Sequence, residues 1–246
     1  MRASDIAAAL RSFVFYPLFY GVSVLIVLAA MLAIPSGHMA LRKMVARWGR
    51  WHLWCVNHVL GIRVVQEGTI PEEPVLVAIK HESFFEAIDM PRLFAYPAVF
   101  AKRELFQIPG WGLVARTYGL IPVAREKGAL ALRQMVATAR TRAGEGRVLV
   151  IFPEGTRIAH GDTPALQSGF AGIYKLLGLP IIPVAVDSGP LYQRAVKRSG
   201  TITYRVGERI PAGLGRPEME RRVHQAINAL NAPERLPPRG EVPLGA

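Results

Sequence analysis

The sequence predicts an α/β domain, a largely parallel sheet flanked by helices, preceded by an N-terminal membrane-associated two-helix segment. From Gly61 onward, short β-rich runs alternate with helix-patterned stretches, the pattern of a sheet whose strands are joined by helices. Before that, Phe13 to Ile34 contains no charged residue. At 246 residues the chain holds one sizeable domain plus an appendage rather than two equal domains. The expected divisions are membrane-anchoring and interfacial helices over 1–60, an α/β domain over 61–232 and a loose Pro-rich tail over 233–246.

The first apolar run is long enough, at about 1.5 Å per residue, to match a hydrocarbon core of about 30 Å. Pro17 and Gly21 weaken it as a single straight helix. A retained anchor is favoured over a cleaved signal peptide, because the apolar core is long for one and no clean small-x-small site follows it before Pro35. After Pro35-Ser36-Gly37, Leu41, Met44, Val45, Trp48, Cys55 and Val59 project on one side of a second helix, with Lys43, Arg47 and Arg50 on the other. Together with Trp51 and Trp54 this reads as a helix at a membrane interface, the alternative being an amphipathic helix packed on the domain. Arg42, Lys43, Arg47 and Arg50 outnumber Arg2 and Arg11 on the far side of the run, which places the domain on the cytoplasmic side of the cell inner membrane. The single cysteine, Cys55, excludes an internal disulfide and reads as a small buried apolar residue.

Strands are expected at Ile62 to Val65, Val75 to Ile79, Ala98 to Ala101, Ile121 to Val123, Val148 to Phe152, Ile181 to Val186 and Thr201 to Val206. Helices are expected at Ser83 to Phe94, Trp111 to Tyr118, Ala129 to Arg142, Ser168 to Leu177 and Pro217 to Asn231. Lys and Arg number 30 against 18 Asp and Glu, a net charge of +12, and 51% of residues are hydrophobic. Such a chain suits anionic partners; the apolar start favours an anionic membrane surface over nucleic acid, for which no module is recognised.

In open α/β sheets ligands sit beyond the carboxyl ends of the strands. Two tracts lie there. The first is Lys80-His81-Glu82-Ser83-Phe84-Phe85-Glu86, after the run ending at Ile79. Histidine moves protons near neutral pH, and a carboxylate on its second nitrogen fixes the tautomer and steadies the imidazolium. Residues five apart on one helix point about 140° apart, so the pair works only with His81 on a loop and Glu86 on the first turn of the next helix. Ser83-x-x-Glu86 also reads as a capping box, in which Glu86 merely satisfies a helix amide. The second tract is Phe152-Pro153-Glu154-Gly155-Thr156-Arg157, where Gly155 permits a tight turn, Thr156 offers a hydroxyl and Arg157 suits phosphate. Its plainer reading is an ion pair of Glu154 with Arg157. If the two strands are parallel neighbours, His81 and Arg157 face one crevice. Lys102 and Arg103 add charge after another strand, with Phe106, Ile108 and Trp111 as candidates for an acyl-chain groove; Arg125 follows a further strand.

Together these tracts resemble the glycerophospholipid acyltransferase family, in particular the 1-acylglycerol-3-phosphate acyltransferases, over about Gly61 to Gly207. His81 to Glu86 matches H-x-x-x-x-D/E, and Lys102, Glu104, Leu105, Pro109 and Gly112 match K-x-E-L-x-x-x-P-x-x-G. F-P-E-G-T-R is present in full, and Ile181 to Val186 looks like the V-P-V-type strand. Glu86 stands where aspartate is commonest, Ala124 where many members have an aspartate before Arg125, and Asp187-Ser188-Gly189 where N-S-G is frequent.

The resemblance implies acyl transfer from acyl-ACP or acyl-CoA to the free hydroxyl of lysophosphatidic acid, forming phosphatidic acid, with no metal or bound cofactor. His81 would be the base and Glu86 its orienting partner. Arg157, with Lys102 and Arg125, would hold the phosphate, and Glu154 would orient Arg157 or contact the glycerol. Acylation of another lyso-lipid, such as lyso-ornithine lipid, and a non-catalytic basic membrane-surface protein are the alternatives. The absence of G-x-S-x-G, of Walker A and of G-x-G-x-x-G disfavours a serine hydrolase and the common nucleotide-binding readings.

Overall fold

The computed structural model describes residues 3–70, 73–123 and 128–231. Seven strands form one sheet: β1 (Ile62–Glu67), β2 (Leu76–Ile79), β3 (Ala98–Lys102), β4 (Ile121–Val123), β5 (Leu149–Ile151), β6 (Ile181–Val186) and β7 (Gly200–Val206), in the order β1-β7-β6-β2-β5-β3-β4. Every neighbouring pair is parallel except β6 with β7, so β1 and β7 run against the other five. The sheet is largely parallel, as expected, and each strand lies where its β-rich run stands.

The helices are α1 (Ala3–Ala33), α2 (His38–Trp54), α3 (Phe84–Leu93), α4 (Trp111–Tyr118), α5 (Gly128–Gly144), α6 (Ser168–Leu177) and α7 (Arg216–Ile227). Alternating residues of the central strands feed two cores. Val75, Val77, Ile79, Val150, Val184 and Tyr204 pack with Phe85 and Met90 of α3. Leu76, Ala78, Leu149 and Ile151 pack with α5, α6 and α7 through residues such as Val136, Phe170 and Val223. Burial on both faces is why β2 and β5 read as unbroken apolar runs. Helices α4 and α6 end as expected because Gly119 and Gly178 follow, at φ of 89° and 69°. Helix α7 stops at Ile227, short of the expected Asn231, and the Asn228 side chain that follows accepts from Lys80 Nζ (2.7 Å).

Helix α1 is long and apolar enough to cross a membrane, and it runs unbroken through Pro17 and Gly21. Its inner side is docked on the domain: Phe15 and Phe19, 0% and 1% exposed, belong to the same core as β2 and α3. Burying those two rings is worth about 1.5–3 kcal/mol each, enough to hold the helix against the domain. Ser12 and Ala30, further toward the two ends, are buried as well, whereas Leu10, Phe13, Val24, Leu25, Leu28 and Leu32 face outward. Helix α2 packs between α1 and α3, so the packed alternative describes its inner side. Trp48 donates its indole N–H to Ser23 Oγ on α1 (2.9 Å), and Trp54, stacked on Trp51, is the exposed member of the cluster. The regular α-helix ends at Trp54 and opens into a wider turn over Cys55–Val59. There Cys55 is buried, and burial pushes its thiol up to about 11, which fits the apolar reading.

Candidate active site

β2 and β5 are parallel neighbours, so the tracts that follow them meet at one edge of the sheet. Lys80 continues the ladder with its N–H on the Val184 carbonyl (3.0 Å), and the chain then leaves the sheet at His81. Ser83 is the N-cap of α3 in extended conformation, with the reciprocal capping box complete. Glu86 therefore sits on the first turn, and its side chain reaches back over the loop.

That carboxylate serves both readings at once. Its Oε1 accepts the N–H groups of Glu82 (2.6 Å) and Ser83 (2.7 Å) and also pairs with His81 Nδ1 (2.9 Å). Its Oε2 accepts the hydroxyls of Ser188 (2.6 Å) and Ser83 (3.1 Å). With Nδ1 donating to Glu86, His81 Nε2 is the ring nitrogen that carries the lone pair. The ring is stacked on Phe152, centroids 4.3 Å apart, and is 16% exposed. The backbone is clamped as well: His81 N–H donates to Glu154 Oε2 (3.0 Å), and its carbonyl accepts from Ile158 N–H (2.7 Å). A histidine held at ring and backbone, with Nε2 not engaged by Glu86, has the chemistry to accept a proton from a hydroxyl placed beside it.

Glu154 forms the expected kind of ion pair with a different partner. Its Oε1 accepts from Nζ of the fully buried Lys80 (2.9 Å), not from Arg157. The same ammonium donates to the Asp162 carbonyl (2.8 Å) and to Asn228 Oδ1 (2.7 Å). Lys80 thus ties β2, the loop after β5 and the end of α7 together beneath His81. Glu154 is 2% exposed and both its oxygens are engaged, so its position fits the support of the His81 loop.

Gly155 makes the expected turn at φ 69°, its N–H on the Phe152 carbonyl (2.9 Å). The turn leaves Thr156 and Arg157 exposed, and the Arg157 guanidinium lies 4.1 Å from the centre of the Phe84 ring. Lys102 is exposed at the carboxyl end of β3, two strands from β2. Arg125 and Ala124 lie outside the described residues. In the Lys102 tract, Phe106 is buried with Trp111 edge-on to it, while Ile108 faces outward. Gly112 has a steric reason for its place, since a Cβ there would stand 2.2 Å from the Phe106 carbonyl oxygen.

Four participants escape a reading of spacing alone: Lys80, Glu82, His160 and Ser188. Buried Glu82 accepts from His160 Nδ1 (2.9 Å) and from Gly189 N–H (2.8 Å). Burial pushes its carboxyl up to about 7, against the smaller opposite pull of these two donors. Ser188 and Gly189 thus bind adjacent carboxylates, and a Cβ at Gly189 would stand 2.9 Å from Glu82 Oε2. Asp187 Oδ1 accepts Thr203 N–H (2.6 Å), which joins the start of this loop to β7.

The model of the family described as Acyltransferase matches residues 61–187, the stretch that contains His81, Glu86 and Arg157. The chain belongs to the Acyltransferase family. This acyltransferase-family chain is 32% identical over 170 residues to 1-acyl-sn-glycerol-3-phosphate acyltransferase of Pseudomonas aeruginosa, covering 68% of this chain and 66% of the relative. It is 28% identical over 142 residues to the human 1-acyl-sn-glycerol-3-phosphate acyltransferase beta, covering 56% of this chain and 51% of the relative. It therefore spans about two thirds of the bacterial relative's length and half of the human one's. Its fold matches the crystal structure of the 1-acyl-sn-glycerophosphate (LPA) acyltransferase PlsC from Thermotoga maritima, with TM-score 0.70 and 21% identity, over 93% of this chain and 96% of that one.

Proposed function

We propose that this chain transfers a fatty acyl group from an acyl-CoA or acyl-ACP thioester to the free hydroxyl of 1-acylglycerol-3-phosphate, forming phosphatidic acid. The observation that carries this is the His81–Glu86 pair at the sheet edge, with Nε2 of His81 free of Glu86. Nε2 takes the proton of the acceptor hydroxyl as its oxygen attacks the thioester carbonyl. The tetrahedral intermediate collapses with cleavage of the C–S bond, and the imidazolium returns the proton to the departing sulfur. The products are an ester and a free thiol, with no acyl-enzyme and no resident metal or cofactor. General-base help of this kind supplies about 10²–10⁴ in rate, and positioning supplies most of the rest. Arg157 offers two parallel donors to the acceptor phosphate.

The same reading places the chain on the cytoplasmic face of the inner membrane. Helix α1 has Ser12, Phe15, Phe19 and Ala30 buried against the rest of the chain and the apolar residues of its other side exposed, which supports a helix that lies at the membrane surface with its outward face in lipid. Phosphatidic acid formation from labelled lysophosphatidic acid and an acyl thioester is expected to travel with the inner-membrane fraction. It should also exceed acylation of an uncharged monoacylglycerol by about tenfold or more. Equal rates on the two acceptors would sink the phosphate reading, and activity confined to the soluble fraction would sink the membrane placement.

A further inference from the structure

The sequence groups Arg157 with Lys102 and Arg125; in the fold Arg157 also shares a cleft with two further cations, Arg194 and Lys197. Arg157 opens onto a cleft of ≈ 210 Å³ between α1 and the loop that follows β6, lined by Tyr16, Tyr20, Phe84, Arg194 and Lys197. That volume equals about seven waters at their liquid share, room for a phosphate with part of a glycerol. The lining contains three cations and no carboxylate.

Lys197 points to the occupant. It is 7% exposed and has no carboxylate partner among the described residues. Its ammonium donates to the carbonyls of Tyr192 and Arg194 and lies 4.2 Å from the centre of the Tyr192 ring. An ammonium has three protons, so one donor remains. Burial, and after it the charge of Arg157, pushes Lys197 down to about 8, a deficit that an entering anion relieves. The loop is held to α1 at two points: the Tyr16 hydroxyl donates to the Ala195 carbonyl (2.8 Å), and Lys197 N–H donates to Ser12 Oγ (2.8 Å).

We propose that this cleft binds the phosphomonoester of the acyl acceptor, with Arg194 and Lys197 joining Arg157 as its ligands and Tyr16 and Tyr20 of α1 as its wall. Helix α1 is then part of the acceptor site as well as a membrane contact. The inference rests on the acceptor reading above.

The test uses the full chain in detergent. Arg194→Gln and Lys197→Met are each expected to raise KM for lysophosphatidic acid about tenfold, with kcat and the slow acylation of monoacylglycerol within about twofold. Arg194 is exposed, so its variant reads the site without disturbing a buried group. An unchanged KM in both variants overturns the proposal. So does equal loss on both acceptors, which assigns these side chains to holding the loop. A thermal-shift arm needs no catalysis: lysophosphatidic acid is expected to stabilise the parent and to stabilise Arg194→Gln less. Glycerol 3-phosphate in place of the lipid separates phosphate binding from binding of the tailed acceptor. If the parent acylates neither lipid, the functional reading fails while this arm still decides the cleft: a shift lost in Arg194→Gln supports it, and an equal shift in both proteins overturns it.

Discussion

Glu86→Ala is expected to lower acyl transfer by about 10²–10⁴-fold and to destabilise the fold by about 3 kcal/mol or more. The two losses have one origin. The carboxylate is fully buried and accepts from two backbone N–H groups, two serine hydroxyls and the His81 ring. Alanine leaves the amides of Glu82 and Ser83 without their acceptor, and each buried orphan costs about 1–3 kcal/mol. It also frees the imidazole to turn and removes the charge that steadies it when protonated. Glu86→Gln separates the roles. Its amide oxygen still accepts the two backbone N–H groups, and the hydroxyls of Ser83 and Ser188 can rotate to accept from its NH₂. Stability should then stay within about 1 kcal/mol of the parent while the rate still falls by about 10²-fold or more. Denaturant unfolding and initial rates on the same preparations check both. A Glu86→Gln chain that transfers acyl groups at the parent rate would reduce Glu86 to a helix cap.

Lys80→Ala is expected to cost about 3–5 kcal/mol. Lys80 is 0% exposed, and its ammonium is the countercharge of a Glu154 that is 2% exposed. Without it, Glu154 keeps a buried charge, and the Asp162 carbonyl and Asn228 lose a donor. At about 2–4 °C per kcal/mol for a chain of this size, the melting temperature should fall by roughly 10 °C. Activity should fall too, since Glu154 holds the His81 amide. Lys80→Met with Glu154→Gln should be more stable than Lys80→Met alone, because the unpaired charge leaves with the lysine. A Lys80→Ala chain that melts with the parent would show that the pair does not fasten the site.

Much of this architecture is legible in the sequence for local reasons. The seven strands are β-rich runs bounded by turns, and α4 and α6 end where glycines take the left-handed region. Ser83 and Glu86 are visible because a capping box is written in four consecutive residues. What escapes is the long-range part. Lys80 finds Glu154 74 residues away and Asn228 148 residues away, and no spacing rule announces either contact. Glu154 beside Arg157 reads as a local ion pair, yet the turn at Gly155 sends the two side chains to different partners. In α1 nearly every residue of the central run is apolar, so the inward side of Phe15 and Phe19 leaves no periodic trace. The opposed direction of β1 and β7 is likewise invisible, because a strand's residue pattern reads the same whether its neighbour runs parallel or antiparallel.

The central claim, that His81 is the base for acyl transfer to lysophosphatidic acid, is tested most directly by one side-by-side assay. Purified full-length parent and His81→Ala, shown to share one unfolding transition, receive labelled lysophosphatidic acid and an acyl thioester, and labelled phosphatidic acid is followed from the first turnovers. The parent is expected to form it and the variant to do so at least about 10²-fold more slowly. Phosphatidic acid formed at equal rates by the two proteins would contradict the account.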